Sequence, residues 1–235
     1  MTWVRVQKQG HVLWQVKAWQ SFTWLKHGFS TTLAGNLLDK QNRMALSKAF
    51  DFPETWVTVS QVHGDIVHWV DETWSGDSGV IEGDGLITRK GGQTLATFYA
   101  DCVPLFFVDP VTQTVAVSHG GWRGTSKHIG PKTIAAMVEN GSRLEDIQAA
   151  IGPSIGPCCY AVSSELEEFF PAEVFLVRSG QLYLDLWKEN RRQLEDAGVE
   201  AIFTAEHCTM CEHDFFSYRR DKTPSRMAAV IAVLT

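Results

Sequence analysis

Residues 100–125, ADCVPLFFVDPVTQTVAVSHGGWRGT, hold two apolar β-type runs, 104–108 and 114–118, followed by a glycine-rich turn. They continue a dense series of such segments that begins at 86–88 and 94–99. Cys102 falls where one run starts and His119 where another stops. Upstream, 56–59 and 66–70 read as strands flanking the turn QVHGD, so His63 also sits at a strand end. Strand ends and the loops between them are where a scaffold gathers residues that are far apart in sequence.

Outward from this centre, residues 4–16 alternate around Gly10 and predict a hairpin, and 39–50 predict a helix containing Asn42 and Arg43. Ile129, Thr133, Ile134 and Met137 follow helical spacing, with Pro131 near enough to the start to be tolerated. Ser164 with Glu167 is a capping-box signature for a short helix. Residues 185–197 form a further predicted helix, with Asp185 as N-cap and Gly198 as its stop. Segments 201–204, 215–218 and 227–234 return to strand. Many strands with helices at intervals imply a layered α/β protein with mixed sheets.

A chain of 235 residues can bury a substantial core and is expected to form one domain, 1–235. Its net charge of −6, spread without a like-charge block, argues against nucleic acid as a partner. No apolar run is long enough to span a membrane, and the polar, alternating N-terminus does not resemble an export signal. Five cysteines without such a signal argue against a disulfide framework, so a cytoplasmic location with reduced thiols is expected.

His63, Cys102 and His119 together offer two imidazoles and a thiolate. Three such ligands would leave a fourth position on Zn²⁺ open, the pattern of a catalytic site. After His119, the run GGWRG makes a strand-to-helix turn in which backbone N–H groups and Arg123 suit an anion. Asp101 and Asp84 could orient a ligand imidazole or move protons, and for Asp84 a simple turn-capping role is an equal alternative. The run HCTMCEH (207–213) holds four further ligand types, but four ligands within seven residues are too cramped for a structural zinc. Cys158 and Cys159 are adjacent and expected to point in opposite directions as loop packing.

With these fragments assembled, the chain resembles the YfiH-type family, known also as laccase-domain proteins, multicopper polyphenol oxidoreductases and purine nucleoside phosphorylases. The shared motifs are ST (30–31), NR (42–43), QVHG (61–64), GDGLIT (83–88), ADCVP (100–104), HGGWRGT (119–125), IGPSIGPCCYAV (151–162), CT (208–209) and FSYRRD (216–221). The resemblance implies an α/β/β/α four-layer fold with mixed sheets and zinc on His63, Cys102 and His119. It also implies phosphorolysis of adenosine, inosine, guanosine or methylthioadenosine, together with adenosine deamination. Two departures bear on substrate choice. STTLAGNLLDKQNR (30–43) is shorter than the usual glycine-rich stretch, and Ser225–Arg226 replaces a Gly-Arg pair.

In a zinc-dependent nucleoside enzyme, water would attack C6 of adenine or phosphate the ribose carbon. The catalytic residues would then be His63, Cys102 and His119. Asn42, Arg43, Gln61, Asp101 and Arg123 would bind nucleoside and phosphate, Arg43 and Arg123 holding the phosphate, with Asp84 or Asp101 as proton shuttle. Copper is the alternative ion, since it outranks zinc in intrinsic affinity, and with it a laccase-like phenol oxidase. Eight histidines without a His-x-His pair speak against that chemistry. A third reading makes Cys102 a nucleophile activated by His119 or His63, a hydrolase fitting the family's link to peptidoglycan precursor editing. A fourth is a metal-stabilised binding module.

Overall fold

The N-terminal hairpin forms as β1 (Trp3–Lys8) and β2 (His11–Val16), closed by Gln9 and Gly10 at φ 48° and 83°. Two consecutive left-handed residues give a loop whose twist matches its strands. The computed structural model describes residues 2–70 and 81–234. After β3 (Leu25–Ser30), helix α1 (Lys40–Phe50) starts where the Asp39 carboxylate accepts the Gln41 N–H at 2.8 Å. There follow β4 (Trp56–Val57), β5 (Val67–Trp69), β6 (Gly85–Thr88), β7 (Thr94–Tyr99), β8 (Val103–Asp109) and β9 (Thr114–Gly120). Helices α2 (Trp122–Ser126) and α3 (Ile129–Glu139) follow, then β10 (Gln148–Ile151), β11 (Ala161–Val162), β12 (Phe175–Arg178) and β13 (Gln181–Leu184). The chain ends with α4 (Leu186–Asp196), β14 (Ala201–Thr204), α5 (Tyr218–Asp221) and β15 (Met227–Val233). Helix α4 is capped by the Asp185 carboxylate, which accepts the Lys188 N–H at 2.9 Å, and Gly198 follows it at φ 92°.

Two six-stranded mixed sheets carry the molecule, in the orders β1-β2-β3-β15-β7-β4 and β14-β10-β8-β9-β6-β5. In the first only β4 runs parallel to its neighbour; in the second, β14 with β10 and β5 with β6 do. A small antiparallel sheet, β11-β13-β12, stands apart. Strands β8, β9 and β15 are buried along their whole length, which is why they read as continuous apolar runs rather than alternating ones.

One buried cluster joins the two large sheets, Phe29, Tyr99 and Ala229 from the first meeting Phe106, Val117 and Ala150 from the second. A second cluster sets Ile134, Met137 and Leu194 of α3 and α4 against β8, β9 and β10. A third packs Leu46, Ala49 and Phe50 of α1 on Ala96, Ala228 and Val230. Among the described residues no helix is long and apolar enough to cross a membrane.

Two local expectations fail. Ser164–Glu168 is a 3₁₀ turn whose N-cap, Ser163, makes no side-chain cap bond, so the capping box does not form. Residues 215–218 are not a strand: Ser217 caps α5, its hydroxyl accepting the Arg220 N–H at 3.1 Å, while Phe215 buries into the inter-sheet core. Phe106 is fully buried between the sheets. Truncating it to Ala is expected to lower the unfolding free energy by about 3–5 kcal/mol in urea titrations.

Candidate functional site

The chain crosses from the first sheet to the second twice, from β4 to β5 through residues 58–66 and from β7 to β8 through residues 100–102. His63 sits in the first crossing at φ 58°, and Cys102 ends the second directly after Asp101 at φ 87°. His119 lies near the end of β9, facing Pro104 in the register of β8. One ligand atom from each of His63, Cys102 and His119 lies within 4.8 Å of the other two. The rings of His63 and His119 meet edge-to-face at 4.8 Å, and Tyr99 packs on His119 at 5.3 Å.

A single carboxylate organises this convergence. Asp84, wholly buried, accepts N–H bonds from Val62 (3.2 Å), His63 (3.1 Å) and Gly64 (2.6 Å), and Oδ1 meets His119 Nδ1 at 2.8 Å. Its backbone carbonyl also accepts the His119 N–H at 2.7 Å. With Nδ1 committed, Nε2 is the free ring nitrogen of His119, the tautomer a carboxylate partner selects in metal-binding histidines. Burial pushes the Asp84 pKa up, but the His119 and Gly64 hydrogen bonds outweigh it and hold the group below its ordinary value. Asp84 does not line the cleft.

The glycines of HGGWRG act through close approach. A Cβ on Gly121 would stand 3.2 Å from Cys102 Sγ and 3.3 Å from the His63 ring. On Gly124 it would stand 2.9 Å from the Gly64 carbonyl oxygen, so α2 can abut the QVHG turn only without a side chain there.

Burial raises the Cys102 thiol, yet the adjacent positive charge of His119 and hydrogen bonds from His119 and His63 bring its pKa down to about 6. Burial lowers His119, while the Cys102 charge and the Asp84 hydrogen bond raise it to about 9. Without metal, the two form a thiolate–imidazolium pair between those values.

The triad borders a cleft of about 740 Å³. Phe98, Tyr160 and Tyr218 supply its aromatic surface, and Gln61 and Asp101 also line it. The Gln61 amide pairs with both backbone groups of Phe98, at 2.7 and 3.0 Å, and so fixes the crossing loop to β7. Asp101 accepts the Thr209 hydroxyl at 2.7 Å and the Arg219 N–H at 2.6 Å.

The cations of the cleft are Arg219 and Arg226, neither singled out by sequence reasoning as a phosphate group. Arg219 lies over the Tyr160 ring at 5.2 Å and Arg226 over Tyr218 at 6.0 Å. Arg43 and Arg123, expected to hold phosphate, do not line the cleft. Arg43 is buried, donating to the Leu37 and Leu38 carbonyls at 3.3 and 3.1 Å, and Arg123 stacks on Trp122 at 4.2 Å. Asn42 is likewise structural in placement, donating to the Asn36 carbonyl at 2.9 Å. The NR pair thus braces the turn that carries Leu38 to the cleft edge.

The expectation that Cys158 and Cys159 diverge is wrong. Their sulfurs lie 3.6 and 3.3 Å from Cys211 Sγ, and one sulfur from each of Cys158, Cys159, Cys208 and Cys211 falls within 4.8 Å of the others. The tight turn in which the Cys159 and Tyr160 N–H groups both bond to the Gly156 carbonyl brings the adjacent pair to one side.

The multi-copper polyphenol oxidoreductase laccase family model matches residues 38–234. The chain belongs to this family. It is 40% identical over 210 residues to purine nucleoside phosphorylase YlmD of Geobacillus stearothermophilus, covering 81% of this chain and 77% of that protein. It is 37% identical to adenosine deaminase RL5 of an unknown prokaryotic organism, covering 78% and 76%. The crystal structure of YlmD from Geobacillus stearothermophilus superposes with a TM-score of 0.87 at 33% identity, covering 99% of both chains. The YfiH-type resemblance drawn from the motifs, and the mixed α/β fold it implied, are thereby shown.

In chelator-treated protein the thiolate absorbance of Cys102 should appear with a midpoint near about 6. Asp84→Asn removes a negative charge that keeps His119 protonated, so His119 titrates lower and the Cys102 midpoint moves up. An unchanged midpoint would remove Asp84 from the electrostatics of the pair.

Proposed function

We propose that this chain is a zinc-dependent purine nucleoside enzyme, phosphorolytic with adenosine, inosine, guanosine or methylthioadenosine and able to deaminate adenosine. The observation that carries the reading is the convergence of two imidazoles and a thiol at the edge of an aromatic, cationic cleft. The donor set fits zinc. One thiolate and two neutral imidazoles make three protein ligands of a catalytic site, and the Asp84–His119 bond is the outer partner such a ligand has elsewhere. When bound, the ion supplies Lewis acidity at the cleft end of the triad.

This chain's own residues do the rest. Phe98, Tyr160 and Tyr218 offer faces on which a purine can stack. Arg219 and Arg226 bring positive charge to the same space, suited to phosphate oxyanions, and replace Arg43 and Arg123 in that role. Asp101 sets the backbone of Arg219 and reaches the cleft, which makes it the better placed of the two acids for moving a proton. Asp84 orients His119 and the 62–64 turn. The residues form a single domain, and the reaction takes place in the cytoplasm with no nucleic acid or membrane partner.

Copper phenol oxidation is disfavoured, since among the described residues His63 and His119 are the only histidines in a metal-competent group. The thiolate–imidazolium pair, however, favours a second reading in which Cys102 is a nucleophile for amide hydrolysis. Chelation separates the two: it abolishes a zinc reaction and leaves a thiol reaction, whereas alkylation of metal-loaded protein does the opposite.

Zinc-loaded protein given adenosine and phosphate should release adenine, hypoxanthine or inosine. Cys102→Ala should lower kcat/KM by more than about 100-fold, judged against the effect of lesser changes around metal sites. No turnover across a broad nucleoside panel would sink the proposal.

Zinc must displace the proton of His119, whose pKa is raised to about 9, and below about 6 that of Cys102 as well. Affinity should therefore rise about tenfold per pH unit between those values and more steeply below them, as measured by competition with a chromophoric chelator. A pH-independent affinity over this range would contradict zinc ligation by this pair.

A further inference from the structure

Four of the five cysteines lie in one cluster outside the cleft machinery, with Cys208 buried, Cys159 half-buried and Cys158 and Cys211 exposed. They come from two segments that the fold pairs. Ser154 N–H bonds to the His207 carbonyl at 3.1 Å and Thr209 N–H to the Ser154 carbonyl at 3.0 Å, forming a short parallel bridge. Cys208 and Cys211 open a knuckle of C-x-x-C type, in which the Cys211 and Glu212 N–H groups bond to the Cys208 carbonyl at 3.1 and 3.0 Å. Cys158 and Cys159 face it from a second tight turn.

We infer that Cys158, Cys159, Cys208 and Cys211 form a second, closed zinc site of four thiolates. The sulfur separations of 3.3 and 3.6 Å are far longer than a disulfide bond. They approach the edge of roughly 3.8 Å that a tetrahedron with zinc–sulfur bonds of about 2.3 Å requires. Unpaired, exposed thiols are a liability, and here two exposed thiols and one half-buried one are gathered onto a fourth that is buried. The Gly156 N–H points at Cys208 Sγ at 3.3 Å, which suits a thiolate at that position. The Arg220 guanidinium ties the knuckle down, donating to the carbonyls of Thr209 and Met210 at 3.0 Å each and of Phe215 at 2.8 Å.

The histidines of HCTMCEH take no part. His207 pairs with Glu212 at 2.9 Å and packs at a tilt against Trp14 at 4.0 Å, and His213 is exposed outside the group. On binding, the thiols release their protons to solvent and the ion fills all four positions, leaving none for a reactant. Its role is structural. It fastens the 154–160 turn, whose Ile155 and Tyr160 line the cleft, to the 207–212 turn, whose Thr209 holds Asp101. The inference does not depend on the nucleoside reading.

The test uses full-length protein purified without added metal. A His63→Ala/Cys102→Ala variant, which leaves the four cysteines untouched, should retain one equivalent of zinc by elemental analysis. Its cobalt-substituted form should show the intense sulfur-to-metal charge transfer of a tetrathiolate. Adding Cys208→Ser and Cys211→Ser should remove both signals. A folded His63→Ala/Cys102→Ala protein without metal, even after zinc is supplied, would overturn the site. So would mass spectrometry showing a disulfide between Cys211 and Cys158 or Cys159 in protein isolated under reducing conditions.

Discussion

The Asp84 carboxylate is the interaction on which the site depends. A fully buried carboxylate without partners would carry a large desolvation cost, and this one is met by three N–H groups of one loop and a ring nitrogen of another strand. It leads directly into β6, which lies between β9 and the edge strand β5 in the second sheet. Through it, the crossing loop that has just left the first sheet is pinned against His119. The left-handed backbone of His63 is stabilised by the same oxygen that orients His119. Both imidazoles are thus preorganised by one group that never faces the cleft.

Asp101 plays the matching part on the other side of the triad. Its position at φ 87° is a conformation that non-glycine residues seldom adopt, and it is held by contacts on every side. Its carbonyl accepts the Ile155 N–H at 2.9 Å, while its carboxylate binds Thr209 and the backbone of Arg219. The turn that presents Cys102 is therefore built from three distant segments, 101–102, 154–155 and 209–219. This explains why the cleft cations come from the C-terminal part of the chain.

Much of this was legible in the sequence. Apolar runs bounded by turn residues marked β7, β8, β9 and β15, and Asp39 and Asp185 marked their helix starts by capping chemistry. The ligand types at strand ends marked the triad. Less visible was β10, whose QAAI lacks the β-branched and aromatic residues that signal a strand. Strand β3 is interrupted by Gly28, where a Cβ would come within 3.0 Å of Leu13 Cδ1. The arginines misled because a guanidinium binds carbonyl oxygens as readily as phosphate, and local sequence does not say which it meets. Arg43 turns back on its own preceding turn, whereas Arg219 lines the cleft and donates to the Ala161 carbonyl, fifty-eight positions away. The cysteine cluster was hidden for the same reason: each pair looked insufficient until the Ser154–Cys208 bridge joined them.

The two groups of soft ligands differ in a way their surroundings account for. His63, Cys102 and His119 have a cleft in front and a carboxylate behind, so an ion there would be exposed on the side where a reactant arrives. The four cysteines do not line that cleft, and they have backbone N–H groups and the half-buried Arg220 guanidinium around them, an environment that favours a saturated anionic centre over a reactive one. Asp101 and Thr209 link them, each next to a ligand of one group in the chain and joined by a 2.7 Å hydrogen bond, with the Ile155 N–H to Asp101 carbonyl bond beside it. A shift of the knuckle would therefore reach the turn that presents Cys102 through the Thr209–Asp101 contact, and an ion fixing the four cysteines would also fix that turn.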